Sequence, residues 1–444
     1  MINLSYRNNK ENIDTIFVLA IPVIVENILQ TLLGTVAVYF AGTIDDKAIA
    51  AIGVTNLIIN LFIAFYTAVS IGTGAVVSRN FGRNDLTKAN SAIKQSVLLG
   101  TFLGLLFGII NLIFYKPILM ISGASQDVLS YAIPYYMLVA VPSVLICLSL
   151  VLSSCLRSVR DTKTPMIATG TANVLNILLN MLFIHIGLGI LGLGLAATIS
   201  RIIGVLMLFA KLVGGKNGVR LELRNWVIDK STLSTIIRIG IPAGLEKLIM
   251  RLGQLVYNSM IISIGISTYV AHNVAGNIES YPFIPAMGFG VATAALVGIS
   301  LGENNVKKAK ELVYLSDLIA TVFMVAIGIL FFVFAPQLAA LFTETKEVQV
   351  QVVQVLRLIA FFQPFSAITQ IFTSALQGAG DTKFPMYATL IGIWFGRVGL
   401  GYVFGVILGF GLFGVWIGYA LDLTVRSILL LMRFLNGKWQ EIII

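Results

Sequence analysis

The chain repeats itself at an offset of 220 residues, and no other feature limits its possible folds so strongly. Ile21, Pro22 and Glu26 recur as Ile241, Pro242 and Glu246 (241 − 21 = 220). Thr73, Ala75, Val77, Gly82, Lys88 and Ala89 recur as Thr293, Ala295, Val297, Gly302, Lys308 and Ala309. The longest match aligns SCLRSVRDTKTPMIAT, from Ser154 to Thr169, with SALQGAGDTKFPMYAT, from Ser374 to Thr389, and nine of sixteen positions are identical. Separated segments that share one register point to a duplication. The chain therefore reads as two homologous halves, 1-213 and 232-444, joined by a basic segment at 214-231.

Each half is built from long apolar runs. Hydrophobic residues make up 57% of the chain and charged residues 11%, against about 25% charged in a soluble domain. Runs bounded by charge, Gly and Pro predict helices near 15-42, 48-77, 86-115, 126-156, 162-185, 190-213, 232-264, 268-299, 307-335, 346-377, 383-408 and 412-435. Each is long enough to cross a bilayer. An even number of spans per half returns the chain to its starting side, so the repeats are parallel and related by an axis along the membrane normal. The expected fold is an all-α membrane protein with twelve transmembrane helices in two parallel six-helix lobes around a central cleft, a transporter's geometry.

Charge sets the orientation. Twenty-two Lys and Arg residues, including Arg7, Lys10, Arg79, Arg157, Lys216 and Arg433, fall at helix ends and connections assigned to the cytoplasm. Only Lys47, Lys116 and Lys346 fall in the loops on the other side. The positive-inside rule then places both termini in the cytoplasm of a cell-membrane protein. The net charge of +10 is spread among these clusters, so no nucleic-acid partner is expected. Cys147 and Cys155 share one predicted helix and read as packing residues. The first apolar run has no small-residue cleavage site after it, so no removable signal peptide is expected. Protease, diphosphate, zincin, serine-hydrolase and ATP-binding motifs are all missing from the sequence, which argues against an enzyme and against any cofactor.

Four stretches carry a resemblance. LAIPVIVENILQTL with the following FAG, RSVRDTKTP, NIESYPFIPAMGFGVATAALVGISLG and GAGDTK with Pro385 resemble the multidrug and toxic compound extrusion (MATE) family, most closely its bacterial NorM-like branch. The resemblance covers 15 to 435. It implies a two-lobe antiporter that expels organic compounds, commonly cationic, in exchange for H⁺ or Na⁺. Three positions depart from the family pattern. Ala37 stands where the first helix usually has Asp, Asn180 stands where the fifth usually has Asp four residues after an Asn (here Asn176), and Met250 stands where several branches have a Glu in the seventh.

An ionisable side chain in hydrocarbon costs about 2.5 to 3.5 kcal/mol on insertion scales, so each must have a partner or a wet cavity. Glu26, Glu246, Glu279 and Asp422 are the acids within apolar runs. Steps of four and eleven residues place Gln30 and Ala37 on the helical face of Glu26, and Asn56, Asn176 and Asn180 are its candidate polar neighbours. The sharper expectation is that Glu26 and Glu246 supply the titratable groups that Ala37 and Asn180 do not. The blander one pairs each with a base of its own lobe, for which Lys247, Arg251, Arg201 and Arg397 are available. Glu279 is a candidate for a cavity in the second half, and Arg397, three residues after Trp394, is a candidate for lining the cleft or bonding released carbonyls. His185 and His272 are expected to be solvated or satisfied histidines, and Asp161 and Asp381 to cap the helices that follow them.

The function expected is secondary antiport of amphipathic organic cations by a monomer in the lipid bilayer. The alternative within the same superfamily is a flippase for lipid-linked anionic saccharides, which would need a cleft dominated by Lys and Arg. A major facilitator transporter also has two parallel halves, but GAVVSRNFGRND lacks that family's Asp-Arg-x-Gly-Arg order.

Overall fold

The computed structural model describes residues 6–444 apart from 216, 225 and 443, with side chains from Lys10 onward. Arg7 and Lys216, two of the bases used for orientation, lie outside the side chains described. The first half holds α1 (Tyr6–Gly42), α2 (Asp46–Gly82), α3 (Leu86–Ile113), α4 (Tyr115–Ile121), α5 (Gln126–Val139), α6 (Ser143–Ser158), α7 (Lys163–His185) and α8 (Gly189–Gly214). The second holds α9 (Lys230–Ile264), α10 (Ile266–Gly302), α11 (Val306–Phe342), α12 (Lys346–Ala360), α13 (Gln363–Gly378), α14 (Lys383–Leu390) and α15 (Gly411–Leu435). Helix α14 continues as π-helical turns over Ile391–Leu400 and Val403–Ile407.

The duplication is visible in the helix starts. Asp46, Leu86, Gln126, Ser143 and Lys163 open α2, α3, α5, α6 and α7, and residues 220 further on open α10, α11, α12, α13 and α14. The turns repeat as well. Asn84 (φ 58°) and Asn304 (φ 56°) take the left-handed conformation, as do Arg160 (φ 64°) and Gly380 (φ 89°). Asn tolerates this region and Gly enters it freely, whereas Arg160 adopts it at some cost. Each Asn is followed by a cap: Asp85 Oδ1 accepts from the Lys88 amide at 3.0 Å and Asn305 Oδ1 from the Lys308 amide at 2.9 Å.

All twelve expected spans are present as helices. Among the described residues, nine helices are long and apolar enough to cross a membrane unaided, and two bent pairs add two more. The runs expected at 126-156 and 346-377 are those pairs: α5 and α6 meet at 45°, and α12 and α13 at 57°. Pro142 stands at the first break and Pro364 just inside α13, where a missing N–H is tolerated. Helix α9 is the twelfth, 35 residues long, and less apolar because Glu246, Lys247 and Arg251 interrupt it.

The chain forms two compact units, Ile21–Gly244 with Ile444, and Met1–Ala20 with Leu245–Ile443. The divide therefore falls inside α1 and α9 and not at the 214-231 linker where the lobe boundary is expected. Residues 1–20 and 232–244 group with the opposite half. Local packing explains the exchange. Phe17 sets its ring edge-on to Phe289 of α10 at 5.8 Å, and Gly240 lets α9 approach Ala68 of α2 so closely that a Cβ would lie 2.6 Å from its carbonyl oxygen. Pro22 and Pro242, which cannot donate to the helical ladder, sit within three residues of the divide.

Gly378 marks a second close approach. A Cβ there would overlap the backbone of Ala294 on α10, and backbone cannot give way as a side chain can. Gly378→Ala is expected to lower stability by about 1 to 3 kcal/mol, read as a fall in melting temperature of the purified protein. Gly276→Ala, which meets nothing within 4 Å, should leave the melting temperature unchanged.

Candidate functional site

The unit containing Leu245–Ile443 encloses a cavity of about 500 Å³ between α9, α10, α13, the π-helical turns and α15, a size suited to a small organic molecule. Glu246, Glu279, Arg397 and Arg426 line it together with Tyr257 and Tyr419. One wall is an ionic triad. Asp422 is fully buried. Its Oδ2 accepts from Arg397 Nη2 at 2.7 Å and Nε at 2.9 Å, and its Oδ1 accepts from Arg426 Nε at 2.6 Å. Gly392 and Gly396 make room for this group, because a Cβ at either would run into Asp422. Arg397 sits on the π-helical segment, a distortion often found at functional sites. Its guanidinium lies over the Tyr419 ring at 4.1 Å and nearer the edge of reach of Tyr257 at 5.9 Å. Two guanidiniums are thus committed to one carboxylate and to aromatic faces.

The remaining acids of the cavity are less committed. Glu279 accepts from the Tyr419 hydroxyl at 2.9 Å. Glu246, 2% exposed, accepts from Gln377 Nε2 at 2.9 Å. Lys247 Nζ stands 3.8 Å from the other oxygen, beyond hydrogen-bond reach. His272, expected to be a solvated or satisfied histidine, instead lines the cavity with its Nδ1 buried and without a hydrogen-bond partner, its ring edge-on to Tyr257 and Trp416 at 5.5 and 5.9 Å.

The two duplicated acids are held in different ways. Glu26 and Arg157 are 131 positions apart (157 − 26), as are Glu246 and Gln377 (377 − 246), so the same pair of positions meets in both halves. In the first half, buried Glu26 accepts from Arg157 Nη2 at 2.6 Å through Oε1. In the second half the matching partner is a neutral amide. Arg157, in the last turn of α6 as its place among the helix-end bases implies, turns its guanidinium inward and is the base that pairs with Glu26.

The other candidates of the first half do not gather around Glu26. Asn180 Nδ2 donates to Asn176 Oδ1 at 2.9 Å, and Asn176 Nδ2 lies 3.5 Å from Ser200 Oγ on α8. Gln30 is exposed and Asn56 half-buried. Arg201 donates to the Val139 carbonyl at 3.3 Å and Arg251 is exposed, so neither pairs with a candidate acid. The expected cap at Asp161 is present: its carboxylate accepts from the Thr164 amide at 3.1 Å and hydroxyl at 2.7 Å. Its counterpart Asp381 binds Arg433 Nε at 2.7 Å, since Phe384 offers no hydroxyl in place of Thr164. Sequence reasoning left out Arg426, Tyr257, Tyr419 and Gln377. Only Gln377 had a usable signal, its register with Arg157.

Known proteins agree with this architecture. The MatE family profile matches residues 22–182 and 242–403, one match in each half. The chain is similar to the probable multidrug resistance protein NorM of Thermotoga maritima, 30% identical over 431 residues that cover 95% of this chain and 92% of that protein. It is also similar to multidrug and toxin extrusion protein 1 of Danio rerio, 24% identical with 98% of this chain and 74% of that protein covered. Among solved structures, one described as MATE in the bent conformation superposes with a TM-score of 0.91 at 25% identity, covering 96% of both chains. An outward-facing multidrug resistance MATE family transporter of the MOP superfamily superposes with 0.89 at 25% identity, covering 96% of this chain and 97% of that one.

Proposed function

Because the chain belongs to the MatE family of multidrug and toxin extrusion transporters, we propose that it exports amphipathic organic cations in exchange for H⁺ or Na⁺, exposing one binding chamber alternately to the two sides of the membrane. The chamber is the cavity of the second half, and Glu246 is its coupling carboxylate. The carrying observation is the contrast between the duplicated pairs: Glu26 is bound by Arg157 at 2.6 Å, while the matching partner of Glu246 is the neutral amide of Gln377, with the partly exposed Lys247 ammonium 3.8 Å from its other oxygen. An ionisable group inside a membrane span that lacks a guanidinium partner and faces a cavity is a functional-site candidate by default. Glu279 adds a second carboxyl group toward a cationic cargo, and Trp416 and Phe283 add apolar wall.

The sign of the cargo follows from which charges are spent. Arg397 and Arg426 are held by Asp422, which leaves Lys247, 3.8 Å from Glu246, as the one Lys or Arg among the described lining residues outside the triad, short of the Lys- and Arg-dominated cleft that an anionic diphosphate saccharide would need. The flippase reading draws no support from this arrangement. The test is efflux of a panel of fluorescent cations from vesicles reconstituted with the protein, under a proton gradient and, separately, under a sodium gradient. Efflux is expected to follow one of the two. Equal, slow leakage under both, matching protein-free vesicles, would refute ion-coupled export.

A further inference from the structure

The connector between the halves is bound along its length to α3. Arg220 donates its amide to Asn90 Oδ1 at 2.9 Å, Lys94 reaches Glu222 Oε2 at 3.1 Å and the Arg224 carbonyl at 3.0 Å, and Gln95 donates to the Val227 carbonyl at 2.8 Å. Ser91 then meets Asp229 at 3.3 Å. Asp229 caps α9 through the Thr232 hydroxyl and amide, which hold its carboxyl below the ordinary carboxylate range. Val219 and Leu221 are buried.

The outward face is of the opposite character. Leu223, Trp226, Val227 and Ile228, four large apolar side chains within six positions, are 39 to 73% exposed. Arg220, Arg224 and Lys230 are exposed beside them. The acids of the segment are engaged: Asp229 serves as a cap, and Glu222 is held by Lys94 at 3.1 Å with Arg220 3.7 Å off. Depth completes the picture. From Gln95 to the end of α3 at Ile113 there are 19 residues (113 − 95 + 1), a rise of about 28 Å, which matches a hydrocarbon core of about 30 Å. A hydrocarbon core that ends with α3 at Ile113 places Val227, bonded to Gln95, at the level where acyl chains meet headgroups, the level that Trp favours.

We propose that residues 220–230 form an interfacial strap, with Leu223, Trp226, Val227 and Ile228 seated among acyl chains and Arg220, Arg224 and Lys230 holding the headgroups of anionic lipids. Bases at a membrane surface each contribute about fivefold in affinity for an anionic leaflet, and the apolar side chains anchor the segment in the manner of an amphipathic interfacial element. The strap would tie the Ile21–Gly244 unit to the lipid composition of one leaflet.

A nitroxide attached at Val227→Cys tests this in the full-length protein, because Cys147 and Cys155 are both buried. Collisions with oxygen and with a water-soluble nickel complex are measured in vesicles of phosphatidylcholine with rising phosphatidylglycerol, against a nitroxide at exposed Lys88→Cys. The expected result is a label open to oxygen and closed to nickel, immersed more deeply as phosphatidylglycerol rises. Arg220→Gln, Arg224→Gln and Lys230→Gln together should weaken the lipid dependence about fivefold per base. A label as open to nickel as that at Lys88 would overturn the proposal. So would a label closed to both reagents in every lipid, which would mean a protein-covered face. Immersion that ignores both phosphatidylglycerol and the triple substitution would overturn the headgroup assignment.

Discussion

Glu246→Gln is expected to reduce gradient-driven efflux to the level of protein-free vesicles, and Gln377→Arg to do the same. Gln keeps the shape and one hydrogen bond of Glu246 but can neither bind a proton nor offer a negative charge. Arg at 377 acts from the other side, by giving Glu246 the guanidinium that Glu26 already has. The fold can hold such a pair at these positions, because Glu26 and Arg157 occupy the repeat-equivalent positions at 2.6 Å. Neither substitution should therefore prevent folding. The double substitution Glu26→Gln with Arg157→Gln is the control: it removes a compensated pair together, leaves no buried charge without a partner, and should retain coupled efflux. Initial rates at matched protein content, with melting temperatures alongside, decide the matter. Full efflux by Glu246→Gln would sink the assignment of the coupling group, while leaving ion-coupled export itself intact.

Asp422→Asn is expected to destabilise the protein by about 3 to 5 kcal/mol, the usual result of removing one partner from a buried ion pair. Its carboxylate is the shared acceptor for Arg397 and Arg426, and without it two guanidiniums face each other within the membrane span. Arg397→Gln should cost less, because Asp422 keeps Arg426 at 2.6 Å. The measurement is thermal unfolding of purified protein followed by tryptophan fluorescence. The order expected is parent, then Arg397→Gln, then Asp422→Asn with the lowest melting temperature. An unchanged melting temperature for Asp422→Asn would show that the triad contributes nothing to stability.

Much of the fold was legible in the residues. The apolar runs located all twelve spans, and the 220-residue register between the halves recurs in five pairs of helix starts. The bends at Pro142 and near Pro364 were not foreseen as breaks, because a prolonged apolar run looks alike whether it is straight or folded back by 45° to 57°. The site was less legible. Glu246, Glu279 and Arg397 do converge on one cavity. Asn180 instead donates to Asn176, since a short amide four residues from another meets it on its own helix.

Composition, periodicity and internal register determine this protein's class, its duplication and the number of its membrane helices, because hydrocarbon leaves an apolar chain no alternative to internally bonded helices. What only the tertiary structure decided is which side chains meet. The exchange of Arg157 for Gln377 stands in the aligned repeat for any reader, yet its meaning depends on α6 and α13 turning those positions toward Glu26 and Glu246. That rotation is set by close packing such as Gly378 against Ala294, a contact between distant segments that no local pattern encodes.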